Sequence, residues 1–242
     1  MSARSPAAAI ADPELVIETG ELDQSWCHTV GYVSPLLAAA AVGASLARRP
    51  LDGDAVAGLL AAGISRAAEA EAVADSLSGA RHLIVIGSGA DRPAARELVL
   101  KVEEATWLPS AMRDLETFLH GHLPATDEAT GLVFILAERR ERDARLGRAR
   151  HALAAAREVG IRAAAILAEG AAAAIEPALT PAGRIVLPEA PALPTAVAAL
   201  LGTATSLQVL TERLARAHGT NPDPIRRDDP RYLRAAEVSS PD

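Results

Sequence analysis

The stretch HLIVIGSGADRP, residues 82–93, joins an apolar run to a glycine-containing turn and then a proline. An uninterrupted apolar run that stops at glycine is typical of a strand buried on both faces of a parallel sheet. Pro93 falls where a helix would begin, and proline fits a first helical turn because no N–H partner is needed there. The stretch therefore predicts a strand at 82–87, a tight turn, and a helix at 92–107.

The rest of the chain repeats this alternation of strand and helix. Three more apolar runs predict buried strands, and alanine-rich stretches with helical spacing predict the helices between them. The predicted strands are 131–138, 161–169 and 184–189, with a short strand, ELVIE, at 14–18, and the other predicted helices are 27–48, 54–77, 141–158 and 192–217. Such alternation indicates an α/β protein with an open, mostly parallel sheet flanked by helices. Ligands of such sheets bind beyond the carboxyl ends of the strands.

Composition narrows the possible partners. The formal net charge of −7 argues against binding to nucleic acid or to an anionic membrane surface, since both attract clustered positive charge. The single cysteine, Cys27, excludes an internal disulfide and suits a reducing compartment. The N-terminus has no apolar core of signal-peptide length, and VSPLLAAAAVGASLA, residues 33–47, is too short and alanine-rich to span a membrane. We therefore expect a soluble, cytoplasmic protein.

The turn Gly87-Ser88-Gly89 is the first candidate site. A strand that ends in Gly-Ser-Gly and opens a helix offers free backbone N–H groups and the positive end of a helix dipole to an anion. A tight turn with a purely structural role remains open as the alternative. A dinucleotide cofactor is not expected, because position 92 is arginine where the fingerprint needs glycine.

The predicted helix 92–107 carries the second candidate. Glu97, Lys101 and Glu104 fall at i, i+4 and i+7, on one narrow face of the helix. Lys101 is the only lysine among 24 basic residues. A solvated stripe of salt bridges remains the alternative, worth a few tenths of a kcal/mol per pair.

His120 follows Glu104 by sixteen residues, in the segment ETFLHGH. A carboxylate and a histidine that meet can perform general acid–base chemistry. Metal binding is not expected, because His120 and His122 would point in opposite directions in a strand and no third ligand has metal-like spacing.

The segment GELDQSWCHTVGY, residues 20–32, is the third candidate. Trp26, Cys27 and His28 gather aromatic and polar groups before a predicted helix. A capped helix start, with Cys27 as a small buried apolar residue, remains the alternative. Nothing in the sequence indicates a catalytic triad.

Taken in order, these segments resemble the sugar isomerase (SIS) domain family, within it the isomerase half of glucosamine-6-phosphate synthase and related sugar-phosphate deaminases and deglycases. Gly87-Ser88-Gly89 resembles the family's Gly-x-Gly loop, and AARELVLKVEE, residues 94–104, resembles its helix ALEGALKLKE. ETFLHGH, residues 116–122, resembles the segment that ends in His-Gly-Pro, and SWCHTVGY, residues 25–32, resembles VASTKAFT. The resemblance implies a flavodoxin-like fold of three layers.

The resemblance also implies roles for individual residues. Glu104 would be the base that moves a proton between neighbouring sugar carbons, and His120 would assist ring opening, reaching the site of a neighbouring subunit. Lys101 would pair with Glu104 or Glu97 and adjust their charge. The residues that would contact the sugar phosphate are Trp26, Cys27, His28, Gly87, Ser88, Gly89 and Lys101.

Departures from the family set the domain boundaries that we expect. Residues 1–50 resemble only the last part of a first SIS domain and lack its SQSGET loop, which holds the sugar phosphate. Residues 51–218 would form the second SIS domain, and 219–242 a proline- and charge-rich tail. The tail has no lysine for the sugar carbonyl, and arginine cannot replace a Schiff-base lysine because it stays protonated. His122 stands where the family has proline.

The resulting functional hypothesis is a phosphosugar-binding SIS protein. It would be an aldose–ketose isomerase or a deaminase of amino-sugar or fructosamine phosphates, working as a homodimer without metal or cofactor. The alternative is a non-catalytic module that binds a sugar phosphate or another protein and lacks the phosphate loop.

Overall fold

The computed structural model describes residues 23–239, so the predicted strand at 14–18 lies outside the described part. Within that part, five parallel strands form one sheet in the order β2-β1-β3-β4-β5. The strands are β1 (His82–Ile86), β2 (Ser110–Arg113), β3 (Thr130–Leu136), β4 (Arg162–Ala168) and β5 (Arg184–Leu187). The predicted α/β class with an open parallel sheet is confirmed.

Helices cover both faces of this sheet. They are α1 (Val30–Leu46), α2 (Gly53–Ser65), α3 (Ala67–Leu77), α4 (Arg92–Thr106), α5 (Leu115–Thr117), α6 (Arg142–Val159), α7 (Glu169–Ala174), α8 (Thr195–His218) and α9 (Pro230–Ser239). A π turn at Phe118–His122 and a 3-10 turn at Leu123–Ala125 continue α5. The architecture therefore has the three layers that the resemblance implies.

Two apolar cores lie on opposite faces of the sheet, and β1 contributes to both. Leu83 and Val85 pack in the core with α3, α4 and α8, whereas Ile84 and Ile86 pack in the core with α6. All four side chains are at most 5% exposed. Burying each such side chain contributes about 1.5–3 kcal/mol. This two-sided burial explains why HLIVI reads as an unbroken apolar run.

The chain reverses direction across the sheet between β1 and β3. It passes from β1 through α4 to β2 at one edge, and then returns to β3 on the other side of β1. The loops after β1 and β3 therefore diverge at their carboxyl ends and leave a crevice there. Because α4 links two parallel strands, it runs antiparallel to them. Its C-terminal end therefore lies at the amino ends of the strands, away from the crevice.

Three elements differ from the sequence-based prediction. β2 was not predicted, because its four residues, SAMR, form no apolar run and are all partly exposed at the sheet edge. The single helix predicted at 54–77 is two helices, α2 and α3, separated at Arg66, although helical spacing continues on both sides. Helix α9 lies within the proline- and charge-rich tail, for which no helix was predicted.

Candidate functional site

One face of α4 carries the three charged residues that the sequence places at helical spacing. The Lys101 ammonium donates a hydrogen bond to Glu104 Oε2 at 2.7 Å, and its nitrogen lies 3.9 Å from Glu97 Oε1. The side chains of Lys101, Glu97 and Glu104 are only 6%, 11% and 22% exposed. A solvated salt-bridge stripe is therefore excluded, since these groups are largely withdrawn from water. We call these three residues the α4 cluster.

Two residues from the start of the described chain lie against the α4 cluster. The Cys27 thiol lies close enough to Glu104 for the two groups to interact, and burial raises the pKa of Cys27 to about 11. A thiol with this pKa stays protonated at neutral pH, whereas the nucleophilic form of cysteine is the thiolate. Tyr32, in the first turn of α1, packs against the core that includes α4. Burial raises the pKa of the Tyr32 hydroxyl, and the charge of Glu97 adds to this effect.

Asp23 fixes the segment that brings Cys27 to this position. Its carboxylate accepts hydrogen bonds from the N–H groups of Thr29 and Val30, where α1 begins. Burial opposes ionisation, but these hydrogen bonds outweigh it and lower the pKa of Asp23. The helix therefore begins three residues later than predicted, because 27–29 belong to the capping turn.

The segment that follows α8 covers the same region. The Thr220 hydroxyl donates a hydrogen bond to the carbonyl of Ala105 at 2.7 Å. The N–H of Trp26 donates to the carbonyl of Asp223 at 2.9 Å, and the Arg227 guanidinium stacks 3.8 Å from the centre of the Trp26 ring. The N-terminal and C-terminal parts of the described chain thus meet beside α4.

Of the three residues predicted to line a sugar pocket before α1, the structure brings only Cys27 to the α4 cluster. Trp26 is 55% exposed and its ring contacts the C-terminal segment. The side chain of His28 is 53% exposed, and its Nδ1 lies 4.0 Å from the Asp23 carboxylate. Contacts of these residues with a ligand stay predictions.

The turn Gly87-Ser88-Gly89 is tightly packed and its Ser88 groups are engaged. A Cβ at Gly87 would lie 2.7 Å from the Ala95 Cβ, so only glycine fits this approach of strand and helix, and Gly89 has a φ of +58°. The Ser88 hydroxyl donates to Asp114 Oδ2 at 2.9 Å and accepts from the N–H of Leu115 at 3.0 Å. These contacts give the turn a structural role within the chain.

The crevice between the loops after β1 and β3 holds a buried ionic network. Asp91 accepts hydrogen bonds from the N–H groups of Ala137 and Glu138, and its Oδ2 lies 3.0 Å from Arg145. Arg145 also donates to Glu138 at 2.6 Å and to the carbonyl of Ser88 at 2.8 Å. Burial raises the pKa of Asp91 to about 6, although Arg145 and the two N–H groups oppose this. The chain's own side chains thus occupy the place where ligands of such sheets bind.

The sequence analysis missed this network, although a signal for it exists. An acidic residue follows the end of β3, β4 and β5 within two positions, namely Glu138, Glu169 and Glu189. Parallel strands end at the same edge, so these carboxylates must gather there. The arginines that neutralise two of them, Arg145 for Glu138 and Arg142 for Glu189, both come from α6, the helix that follows β3.

His120 lies on the other side of the sheet from the α4 cluster. It sits in the π turn, with Nε2 at 3.4 Å from Glu116 Oε2 and at 3.2 Å from Arg148 Nη2, and its side chain is 72% exposed. Phe118 of the same turn packs in the core with α6, whereas α4 packs with α8. Within one chain, therefore, Glu104 and His120 do not meet. His122 is a further member of this turn.

Neither a three-residue metal cluster nor a membrane-spanning helix is found among residues 23–239. That range contains no group of three His, Cys, Asp or Glu side chains placed to hold a metal ion. In the same range no helix has the length and apolar character needed to cross a bilayer.

Comparisons with known proteins find one matching family model and several solved structures of similar fold. Residues 76–173 match the family model of the SIS domain. The fold is similar to tagatose-6-phosphate ketose/aldose isomerase from Escherichia coli, with a TM-score of 0.65, 21% identity, and coverage of 84% of this chain and 53% of that one. The C-terminal domain of glucosamine-fructose-6-phosphate aminotransferase from Francisella tularensis has a TM-score of 0.61 and 18% identity, and the match covers 69% of this chain and 44% of that one. The NanR protein of Vibrio vulnificus, solved with ManNAc-6P, has a TM-score of 0.52 and 15% identity, and the match covers 86% of this chain and 74% of that one.

These comparisons identify the class of the protein. The chain is a three-layer α/β protein, and its residues 76–173, less than half of the chain, match the SIS domain model. It spans about half the length of the isomerase and the aminotransferase domain that it resembles in fold. No curated protein matches the chain in sequence.

The burial of Glu97 leads us to predict how the stability of the fold changes with pH. Burial raises the pKa of Glu97, with Lys101 opposing and Glu104 adding to the rise. The folded state then binds a proton more readily than the unfolded state, so Glu97 lowers stability as pH rises above its ordinary pKa of 4.5. We expect Glu97→Gln to raise the urea midpoint at pH 7, with a difference from the wild type that shrinks as the pH falls to 4.

The matched control is Glu128→Gln, the same change at an exposed residue. It should leave the midpoint unchanged at both pH values. A lower midpoint for Glu97→Gln at pH 7 would show that the carboxylate is stabilising.

Proposed function

We propose that the chain binds a sugar phosphate at the α4 cluster and belongs to the aldose–ketose isomerase or amino-sugar phosphate deaminase type. The observation that carries this proposal is a buried lysine held between two carboxylates, with Glu104 the most exposed of the three. Such a site can abstract and return a proton while a positive charge stands beside it. The SIS domain match supports the ligand class, as do two proteins of similar fold, a tagatose-6-phosphate isomerase and NanR solved with ManNAc-6P.

The proposed chemistry uses Glu104 as the base. Its carboxylate would take the proton from the carbon next to the sugar carbonyl, leaving an enediolate, and would return the proton to the neighbouring carbon. Lys101, 2.7 Å from Glu104 Oε2, would stabilise negative charge as it develops on the sugar oxygen. The buried Cys27 thiol beside Glu104 would help to hold the orientation of this carboxylate.

The phosphate group of the bound sugar would lie away from the α4 cluster. Two carboxylates share one lysine, so the cluster carries an excess negative charge that repels phosphate. The carboxyl edge of the sheet is also lined by carboxylates, with Asp91 and Glu138 both tied to Arg145. The phosphate would therefore be held by groups outside these two regions.

A non-catalytic sugar phosphate module is the second candidate. Two observations favour it: His120 is remote from Glu104 within one chain, and the Gly87-Ser88-Gly89 turn already uses its Ser88 groups internally. A protein of similar fold, NanR of Vibrio vulnificus, has been solved with ManNAc-6P. Turnover distinguishes the two candidates, whereas binding is common to both.

The test uses the full chain with tagatose 6-phosphate, fructose 6-phosphate and N-acetylmannosamine 6-phosphate. Calorimetry measures binding, and proton exchange at the carbon beside the carbonyl, followed by NMR in deuterated water, measures proton abstraction. Binding with exchange supports the isomerase type, and binding without exchange supports the module. If none of the three binds, sugar phosphate recognition by this chain is refuted for these ligands.

Helix α1 points to self-association. It is apolar along its length but has no fully buried residue, whereas α2 and α3 bury one face each. Leu46 is 81% exposed and Val42 is 42% exposed. An apolar groove between α1 and the start of α8, lined in part by Leu36 and Leu200, shares no residue with the α4 cluster. We propose that a second copy covers α1.

Sedimentation velocity tests this proposal. The wild type is expected to be a dimer at micromolar concentration, and Leu46→Arg should shift it to monomer because a charge would be buried in the contact. Val238→Arg is the matched control, since Val238 is 88% exposed but lies on α9. A wild type that sediments as a stable monomer at these concentrations excludes the dimer.

A further inference from the structure

Two buried polar atoms, one on α1 and one on α4, have no hydrogen-bond partner within the described part of the chain. They are the Tyr32 hydroxyl oxygen, on the first turn of α1, and Glu97 Oε1, on α4. Buried polar groups in folded proteins are nearly always paired, so each such atom needs an explanation. Tyr32 packs against the apolar core to which α4 contributes, and the charge of Glu97 acts on its hydroxyl, so the two atoms belong to one neighbourhood.

Neighbouring groups do not supply the missing partners. Lys101 Nζ lies 3.9 Å from Glu97 Oε1, beyond hydrogen-bond distance, because its ammonium is bonded to Glu104 at 2.7 Å. The Cys27 thiol also lies on the side of Glu104. Glu104 therefore takes the hydrogen bond from Lys101, and Glu97 keeps a free acceptor.

The hydrogen-bonding capacity of the two atoms defines what can join them. The Tyr32 hydroxyl has a proton to donate, and its raised pKa keeps that proton in place at neutral pH. Glu97 Oε1 can only accept when ionised. One group satisfies both if it accepts one hydrogen bond and donates another, which a hydroxyl does. Phosphate oxygens cannot donate as dianions and would be repelled by Glu97, and an ammonium cannot accept.

We propose that Tyr32 and Glu97 together form a hydroxyl-recognising subsite, which orients one hydroxyl group of the sugar phosphate beside Lys101 and Glu104. This proposal rests on the proposed function and names the part of the ligand that meets the chain. The subsite fixes the end of the sugar that reacts, whereas the phosphate lies away from the cluster. Tyr32 is then a residue that determines specificity, and it takes no part in proton transfer.

The test is Tyr32→Phe, which removes only the hydroxyl. In the ligand-free protein the variant loses an unpaired buried group, so we expect its melting temperature to rise by about 2–4 °C. Its affinity for a sugar phosphate that binds the wild type should fall about tenfold, the size of one neutral hydrogen bond. Tyr232→Phe is the matched control, because Tyr232 is 41% exposed and stacks on Arg226 from α9. It should change neither quantity.

A series of deoxy sugar phosphates sharpens the test. For the analogue that lacks the recognised hydroxyl, wild type and Tyr32→Phe should bind equally, whereas for every other analogue the wild type should bind more tightly. Equal binding of all analogues by the two proteins would overturn the proposal while leaving sugar phosphate binding intact.

The melting temperature separates the subsite from a structural water. If a resident water bridges Tyr32 and Glu97 as part of the fold, Tyr32→Phe strands that water and the melting temperature falls, which would also overturn the proposal. Because this measurement needs no ligand, it decides the point even if the chain binds none of the sugar phosphates. That last outcome would refute the proposed function on its own.

Discussion

Glu104→Gln is expected to lower the rate of proton exchange on a bound ketose or aldose phosphate by about a hundred- to ten-thousand-fold. The amide keeps the shape of the side chain and can still accept a hydrogen bond from Lys101, but it cannot take a proton from carbon. Affinity for the sugar phosphate should change little, because the ligand contacts that we propose for binding lie at Tyr32 and Glu97. The rate is measured by NMR in deuterated water and the affinity by calorimetry.

Glu103→Gln is the matched control for this prediction. It makes the same change one residue earlier on α4, at an exposed side chain whose Oε1 accepts a hydrogen bond from the N–H of Ser110. A glutamine can keep that bond, so the control should exchange protons at the wild-type rate. Normal exchange by Glu104→Gln would remove Glu104 from the chemistry and leave a binding protein.

Hybrid dimers test whether His120 completes a neighbouring site. Within one chain His120 lies across the sheet from Glu104, so any joint role requires a second copy. If both residues act in one site across the dimer, mixing Glu104→Gln with His120→Ala should restore part of the exchange rate, because one site in each hybrid is intact. No recovery in a sample shown to contain hybrid dimers would limit catalysis to groups of one chain.

Arg145→Met is expected to lower the free energy of unfolding by about 3–5 kcal/mol, the usual cost of breaking a buried ion pair at one partner. Its guanidinium links Asp91, Glu138 and the carbonyl of Ser88 across the crevice between the loops after β1 and β3. The side chain of Asp91 is fully buried and would lose its cation. Urea denaturation measures the effect.

The control and the pH dependence make this prediction specific. Arg150→Met, on the same helix, breaks a partly exposed pair with Glu176 and should cost at most about 1 kcal/mol. Burial raises the pKa of Asp91 to about 6 even with Arg145 present. Below that pH Asp91 is increasingly protonated and no longer needs a cation, so the deficit of Arg145→Met should shrink as the pH falls from 7 to 5. A deficit equal to that of Arg150→Met would show that the network is dispensable.

A helix or strand could be predicted from the sequence when residues close together in the chain determine it. Strands β1, β3 and β4 were predicted because both of their faces are buried, which forces an unbroken apolar run, and β5 was predicted because Ile185, Val186 and Leu187 follow one another although its burial alternates. β2 was missed because all four of its residues are partly exposed and they form no apolar run. The break at Arg66 was missed because apolar spacing records which side of a helix is buried and not whether its axis is continuous.

In the candidate site, too, only the features that depend on residues close in sequence could be predicted. Helical geometry alone places Glu97, Lys101 and Glu104 on one face, and that arrangement is present. Tyr32 could not be singled out, because its importance arises from an unpaired hydroxyl inside the packed protein. Arg145 was also missed, since its partners precede it by seven and by 54 positions and nothing local marks them as ion pairs.

The sequence by itself determined the parallel α/β fold, the face that the α4 cluster shares and the glycines of the first turn, because each depends on residues within a few positions of one another. Only the tertiary structure decided whether that face meets water or protein. The residues that bury it come from before α1 and after α8, and their packing depends on the whole fold. The separation of Glu104 and His120 was decided in the same way. The chain passes through β2 at the sheet edge before it reaches His120, and that passage carries it from the layer of α4 to the layer of α6.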